Sequence, residues 1–169
     1  MYFHSYMYGP LQGKLRLYGA RSVRPGNVAL PSDWEVFASI LVQDVGKKMG
    51  KGIDLSHHEI KSAVHGGSFE YQYHKLGGKK KLREDMRAGH LFFSHRDNLR
   101  EIALRYAHGS QLKEPFFKKW LAEFPHPYPQ RYRKNIPFRW VEKNGVLLMR
   151  IVDGEVVFPK LAPSKTSGS

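Results

Sequence analysis

The side chains best equipped for chemistry fall in one short run, Gly52-Ile-Asp-Leu-Ser-His-His-Glu-Ile-Lys-Ser62, which carries Asp54, Glu59 and Lys61. Residues two apart in a strand share a face, so Glu59 and Lys61 point the same way and Ile60 turns to the opposite, apolar side. Residues 52–55 and 59–63 have strand composition and only Ser56-His57-His58 between them, so a tight hairpin is expected to draw Asp54 against the Glu59 and Lys61 pair. Two carboxylates can hold one or two Mg²⁺, hard cations that take oxygen ligands, polarise a phosphate and acidify a bound water. An amine beside them orients that water or stabilises the negative charge growing on the phosphate. The chemistry that suits this set is phosphodiester hydrolysis.

The elements that must position these residues follow from periodicity. Trp34, Phe37, Ala38, Leu41 and Val45 form an apolar stripe of helical spacing, with Gly46 or Gly50 as its stop. After the hairpin, residues 69–74 alternate as a strand, residues 79–88 predict a surface helix ending at Gly89, and residues 90–94 predict a buried strand. Asp97 or Asn98 would cap a helix carrying Leu99, Ile102, Ala103 and Tyr106 up to Gly109, and Pro115 would open another with Phe117, Trp120, Leu121 and Phe124. The first thirty residues read as strands or irregular arms, residues 125–137 as a connection, and the remainder as a three-run β-meander punctuated by Asn144-Gly145 and Asp153-Gly154. The fold class expected is α/β or α+β, a mixed central sheet flanked by helices, in one domain over residues 1–160 with a disordered tail at 161–169.

Asp54 followed by Glu59-Ile60-Lys61 resembles the signature of the PD-(D/E)XK nuclease superfamily, in an Ile-Asp form, and the helix and strand order over residues 31–107 is similar to that superfamily's restriction-endonuclease-like core. The short spacing between the first acid and the Glu-x-Lys run is similar to that of the mismatch-repair nicking endonuclease and some monomeric restriction enzymes. The resemblance implies Mg²⁺, with Mn²⁺ as a substitute, held by Asp54, Glu59 and Ile60, and products bearing a 5′-phosphate. Many members carry a further acid on the first helix, where this chain has Glu35. Ser32-Asp-Trp-Glu35 is also a capping box, in which Glu35 would bond back to the Ser32 backbone, and both roles stand open at this level. Gln72 is a further candidate catalytic residue if its face of the strand borders the site; plain strand surface is the alternative. His57 and His58, in the turn, are candidates for a phosphate contact or a proton shuttle, or are simply solvated. No histidine spacing matches a H-E-x-x-H metal site.

Charge names the partner. The chain has 169 residues, and 28 Lys+Arg against 15 Asp+Glu give a formal charge of +13, an excess that favours a polyanion. Lys75, Lys79, Lys80, Lys81 and Arg83, after Gly77-Gly78 at a helix start, are candidate phosphate grips, as are Arg131, Arg133 and Lys134 in a second basic and aromatic stretch. The absence of cysteine excludes disulfides and thiolate metal sites. No stretch approaches the roughly 18 apolar residues of a membrane span, and the aromatic N-terminus reads as folded chain, so an intracellular, cytoplasmic protein is expected. The function expected is a Mg²⁺-dependent endonuclease of double-stranded DNA, most like a type II restriction enzyme. One active site per chain would call for a homodimer or two sequential nicks. A Holliday-junction or repair nuclease, or a non-catalytic nucleic-acid-binding module, are the alternatives.

Overall fold

The stripe of Trp34, Phe37 and Ala38 is buried on the helix it predicts, α2 (Pro31–Val42). The helix stops at Val42, where Gln43 takes a left-handed backbone with φ 52°. This computed structural model describes residues 2–20, 31–44, 54–74, 76–96, 98–125 and 131–158. Val45 and the glycines expected to stop α2 lie outside them, as does the tail.

Two sheets form. The larger has the strand order β1 (His58–Val64), β3 (Gly89–Arg96), β4 (Glu101–His108), β6 (Val146–Val152) and β7 (Glu155–Phe158). β1 lies parallel to β3, with His58 opposite Gly89, and every other pairing in that sheet is antiparallel. The crossover between β1 and β3 contains β2 (Phe69–His74) and α3 (Gly78–Asp85), as a parallel connection requires. β2 stands apart, paired antiparallel with β5 (Arg131–Ile136) as a two-stranded ribbon. The architecture is mixed α/β, as composition and periodicity predict.

Alternation along β1 and β3 divides the interior in two. Ile60, Leu91 and Phe93 face Phe3, Met7, Leu11, Trp34 and Phe37 on one side. Phe92 faces Phe69, Tyr71, Tyr73, Leu82, Phe117 and Trp120 on the other. Burying each such side chain contributes about 1.5–3 kcal/mol.

Several elements differ from expectation, each for a local reason. The first residues are helical: a π-helical stretch, Phe3–Tyr8, runs into α1 (Gly9–Ala20), and Phe3, Met7 and Leu11 are buried at spacings of four. The wide turn closed by Gly9 N–H on the His4 carbonyl falls just before Pro10, where a regular turn would meet the proline ring. Glycine and proline punctuation hid that stripe. Residues 101–108 form β4 rather than a helix. Ile102 and Leu104 alternate inward, and a register shift after Leu104 brings Ala107 in next, an irregularity that imitates helical spacing. Asn98, expected as a cap, and Leu99 instead take left-handed backbones (φ 54° and 68°) in the β3–β4 turn, and complete burial of Leu99 offsets that strain.

The next helical run begins at Gly109, not Pro115: α4 (Gly109–Leu112), a π-helical stretch Lys113–Phe117 and α5 (Lys118–Ala122) follow without a break. His108 caps it by accepting the Ser110 N–H at 3.2 Å. Gly109 is needed for close approach, because a Cβ there would collide with the backbone carbonyls of Asp85 and Met86. β5 occupies what read as connection, with Arg131, Arg133 and Asn135 exposed in alternation. The first run of the expected meander is a helix, α6 (Phe138–Asn144), burying Phe138 and Val141 three apart, so only β6 and β7 remain as the hairpin turning at Asp153-Gly154.

Candidate active site

The expected hairpin reduces to a turn. β1 begins at His58 and pairs with β3, while the arm before it contributes Leu55, whose N–H donates to the His58 carbonyl at 2.9 Å; residues 52 and 53 lie outside the described residues. Asp44, just beyond α2, clasps the turn: one carboxylate oxygen accepts the His57 N–H at 2.9 Å and meets His58 Nδ1 at 2.8 Å. His58 is thereby an anchor of the turn, and the His57 side chain is exposed.

The turn still brings the acids together. Asp54 Oδ2 accepts the Ile60 N–H at 2.7 Å, which fixes the aspartate along β1, an edge strand of the sheet. In extended backbone the N–H and C=O of one residue point to the same side, so the Ile60 carbonyl faces Asp54 while its side chain is buried in the core. On the opposite face Glu59 is 1% exposed, and its Oε1 accepts from Lys61 Nζ at 2.6 Å and from Lys81 Nζ, on α3, at 2.7 Å. Glu59 Oε2 is buried without a hydrogen-bond partner among the described residues.

Electrostatics tie Glu35 to this set. Burial, then the charges of Asp54 and Glu59, push the Glu35 carboxyl above its ordinary range. Asp54 is raised by burial and by Glu59, against the pull of Lys61. Burial alone would raise Glu59 too, but Lys61 and Lys81 overcome it and hold the carboxyl down at about 2. Burial disfavours the charged Lys61 ammonium, yet Glu59 and Asp54 outweigh that and raise it above its usual value, so it is a cation at neutral pH.

A second set of buried polar groups backs the first. Lys81 Nζ also lies 3.5 Å from Asp85, whose other oxygen accepts from Tyr73 OH at 2.8 Å. Fully buried His90 bonds the Asp85 backbone carbonyl through Nε2 at 2.8 Å. A carbonyl can only accept, so Nε2 carries the proton and Nδ1 accepts from Tyr71 OH, also at 2.8 Å. Burial holds His90 neutral, at about 4, and raises Asp85 to about 7 with help from the Glu59 charge. The Tyr71 ring sits 4.8 Å beneath the Lys61 ammonium. Tyr71→Phe strands His90 Nδ1 without a donor, and urea unfolding is expected to register a loss of about 1–3 kcal/mol.

Of the residues singled out from sequence, Asp54, Glu59, Lys61 and Glu35 interact here, with Ile60 through its backbone. Gln72 does not join them: it lies on the other face of β2 from Tyr71, hydrogen-bonded to Glu70. Lys81, read as a surface phosphate grip, is turned inward. Lys79 lies 5.6 Å over the Phe124 ring, Lys80 and Arg83 are exposed, and Lys75 is outside the described residues. Lys134 pairs with Glu123 at 3.0 Å, whereas Arg131 and Arg133 stand on the exposed face of β5. Tyr71, Tyr73, Asp85 and His90 were not singled out as site residues. The one sequence signal for them is alternation in β2 and β3, which gives the face but not the chemistry.

Among the described residues no three His, Asp or Glu side chains form a ready-made metal cluster. A two-carboxylate site nevertheless fits a divalent cation. Glu59 Oε2 lacks a partner, the Ile60 carbonyl lies on the Asp54 edge, and the carboxylates of Glu35, Asp54 and Glu59 outnumber the ammoniums of Lys61 and Lys81. No helix among the described residues is long and apolar enough to cross a membrane. Neither a protein-family model nor a curated protein matches this sequence.

Proposed function

We propose that this protein is a Mg²⁺-dependent endonuclease acting on double-stranded DNA. The observation that carries the reading is the buried Glu59, held through Oε1 by Lys61 at 2.6 Å while Oε2 has no partner, beside an Asp54 fixed at the strand edge. Asp54, Glu59 through Oε2 and the Ile60 carbonyl would hold the cation. Bound Mg²⁺ supplies Lewis-acid polarisation of the phosphate and a more acidic water.

The chain's own groups have distinct duties. Lys61, kept cationic by Glu59 and Asp54, stabilises negative charge building on the phosphate and is not free to act as a base. Glu35, whose carboxyl is raised by burial and by the charges of Asp54 and Glu59, is suited to take a proton from the attacking water. Lys81 holds Glu59 Oε1, which leaves Oε2 for the cation. The +13 charge draws the polyanion.

The test is supercoiled plasmid incubated with the native chain in Mg²⁺ and in EDTA, beside Lys61→Ala. Nicking or linearisation is expected in Mg²⁺, none in EDTA, and a rate about 10²–10³-fold lower in Lys61→Ala. Intact plasmid with the folded native protein across Mg²⁺ and Mn²⁺ would overturn the assignment.

A further inference from the structure

The β2–β5 ribbon presents two unlike faces. Inward, Phe69, Tyr71, Tyr73 and Ile136 are buried, and Tyr132 packs partly against them. Outward, the register sets Glu70 opposite Asn135, Gln72 opposite Arg133 and His74 opposite Arg131. Arg133 and Glu70 keep 53% and 41% of their side-chain surface exposed, and 3.8 Å separates them, longer than a close ion pair. The ribbon is therefore rigid on one side and polar on the other, and it is outside the main sheet.

The chemistry of that outer face is specific. Gripping phosphates calls only for cations, as on the exposed Lys80 and Arg83. Here two guanidiniums, two carboxamides and a carboxylate stand in register. Arginine pairs with guanine O6 and N7, asparagine and glutamine with adenine N6 and N7, and a carboxylate accepts from cytosine N4. A two-stranded ribbon is also one of the two elements that the roughly 12 Å major groove admits. The guanidiniums supply charge complementary to the groove.

We propose that the outer face of the β2–β5 ribbon enters the DNA major groove and reads base edges, with Arg133, Gln72 and Asn135 as the principal reading side chains. This rests on DNA being the substrate, and it gives Gln72 a place in recognition instead of catalysis. Tyr71, whose ring lies beneath Lys61, is on the inward face of the same strand, so the reading face is turned away from that lysine and the ribbon stands between the two. A ribbon seated on its preferred bases would set the register of the whole molecule along the duplex, and with it which phosphates the rest of the basic surface meets.

Reading is separated from cutting by working in EDTA. A pool of duplexes with a randomised central segment is selected by gel-shift with the native chain and sequenced. Affinities of native, Arg133→Ala and Asn135→Ala are then measured for the enriched duplex and an unselected one. Both positions are exposed, so the variants fold, which circular dichroism verifies. The native chain is expected to enrich a short base preference, and each variant to lower the ratio of enriched to unselected affinity by about 5- to 100-fold. The proposal is overturned if nothing is enriched, if both affinities fall together and leave the ratio unchanged, or if an RNA duplex of the same sequence binds as well, since its deep, narrow major groove is closed to side chains. Failure of the plasmid assay in Mg²⁺ with a preserved preference in EDTA would remove the nuclease and leave the reader.

Discussion

Glu59→Gln is expected to destabilise the fold by about 3–5 kcal/mol, lowering Tm by about 6–20 °C, and to abolish Mg²⁺-dependent cleavage. The carboxylate is 1% exposed, and two ammoniums converge on its Oε1. Removing its charge leaves those cations partly buried without their counter-ion, which costs more than the pair itself contributes. The acid limb of the stability curve identifies the cause. An unfolded glutamate titrates near 4.5, and Glu59 in the fold only at about 2. Its contribution is therefore full above 4.5 and drains away as pH falls toward 2. That interval, at 1.36 kcal/mol per pH unit, amounts to about 3 kcal/mol. Urea unfolding in EDTA from pH 5 to pH 2 should show this limb in the native chain and lose it in Glu59→Gln. A variant as stable as the native chain, with the same acid limb, would show that the two lysines do not depend on Glu59.

The second large effect lies behind the Glu59 and Lys61 pair, in two buried residues joined by one hydrogen bond. His90 remains neutral down to about 4, where an unfolded histidine takes its proton near 6.5, so its contribution is full above 6.5 and lost as pH falls through 4. Asp85 has the opposite sign. It keeps its proton up to about 7, where an unfolded aspartate releases it near 3.8, so its contribution is full below 3.8 and lost as pH rises through 7. Between pH 4 and 6.5 the two slopes oppose each other, and native stability is expected to stay nearly level. Asp85→Asn, which retains an acceptor for Tyr73, removes the falling slope and exposes the rising one. Its stability should climb by about 3 kcal/mol from pH 4 to 6.5. Chemical denaturation at half-unit intervals checks this, and a variant equally stable at both ends contradicts the pairing.

How far the sequence reached depended on whether chemistry or only packing was at stake. The spacing of Glu59 and Lys61 predicted a shared face, and the structure has Lys61 Nζ on Glu59 Oε1. Asp54 was expected across a hairpin; it arrives instead through a turn clasped by Asp44, whose bonds to His57 and His58 join positions 13 and 14 apart and leave no local trace. Lys81 reads as one more cation in a basic helix, because nothing in the run of residues 79–83 says which lysine turns inward; Asp85, four positions on, is the one clue. β4 was lost to a bulge and α1 to its glycines, cases in which tertiary packing overrides the local pattern. The N-terminal helix and α2 cover one face of the sheet whatever their labels, so the mixed α/β class survived those errors.

The parallel pairing of β1 with β3 bears on how the molecule comes into being. The neighbouring β3–β4 hairpin closes through a short turn, whereas β1 must find residues about thirty positions along the chain, with β2 and α3 lying between them. Loop closure over such a separation is slower than closing a short turn, so β1 is expected to dock after the β3–β4 hairpin has formed. Glu59 and Lys61 ride on a strand that joins the sheet only across this crossover, and Lys81 of α3 reaches Glu59 only when the crossover is closed. A chain in which that crossover is still open has Glu59 without its second ammonium, so the three-residue cluster is a product of tertiary assembly and of no local segment.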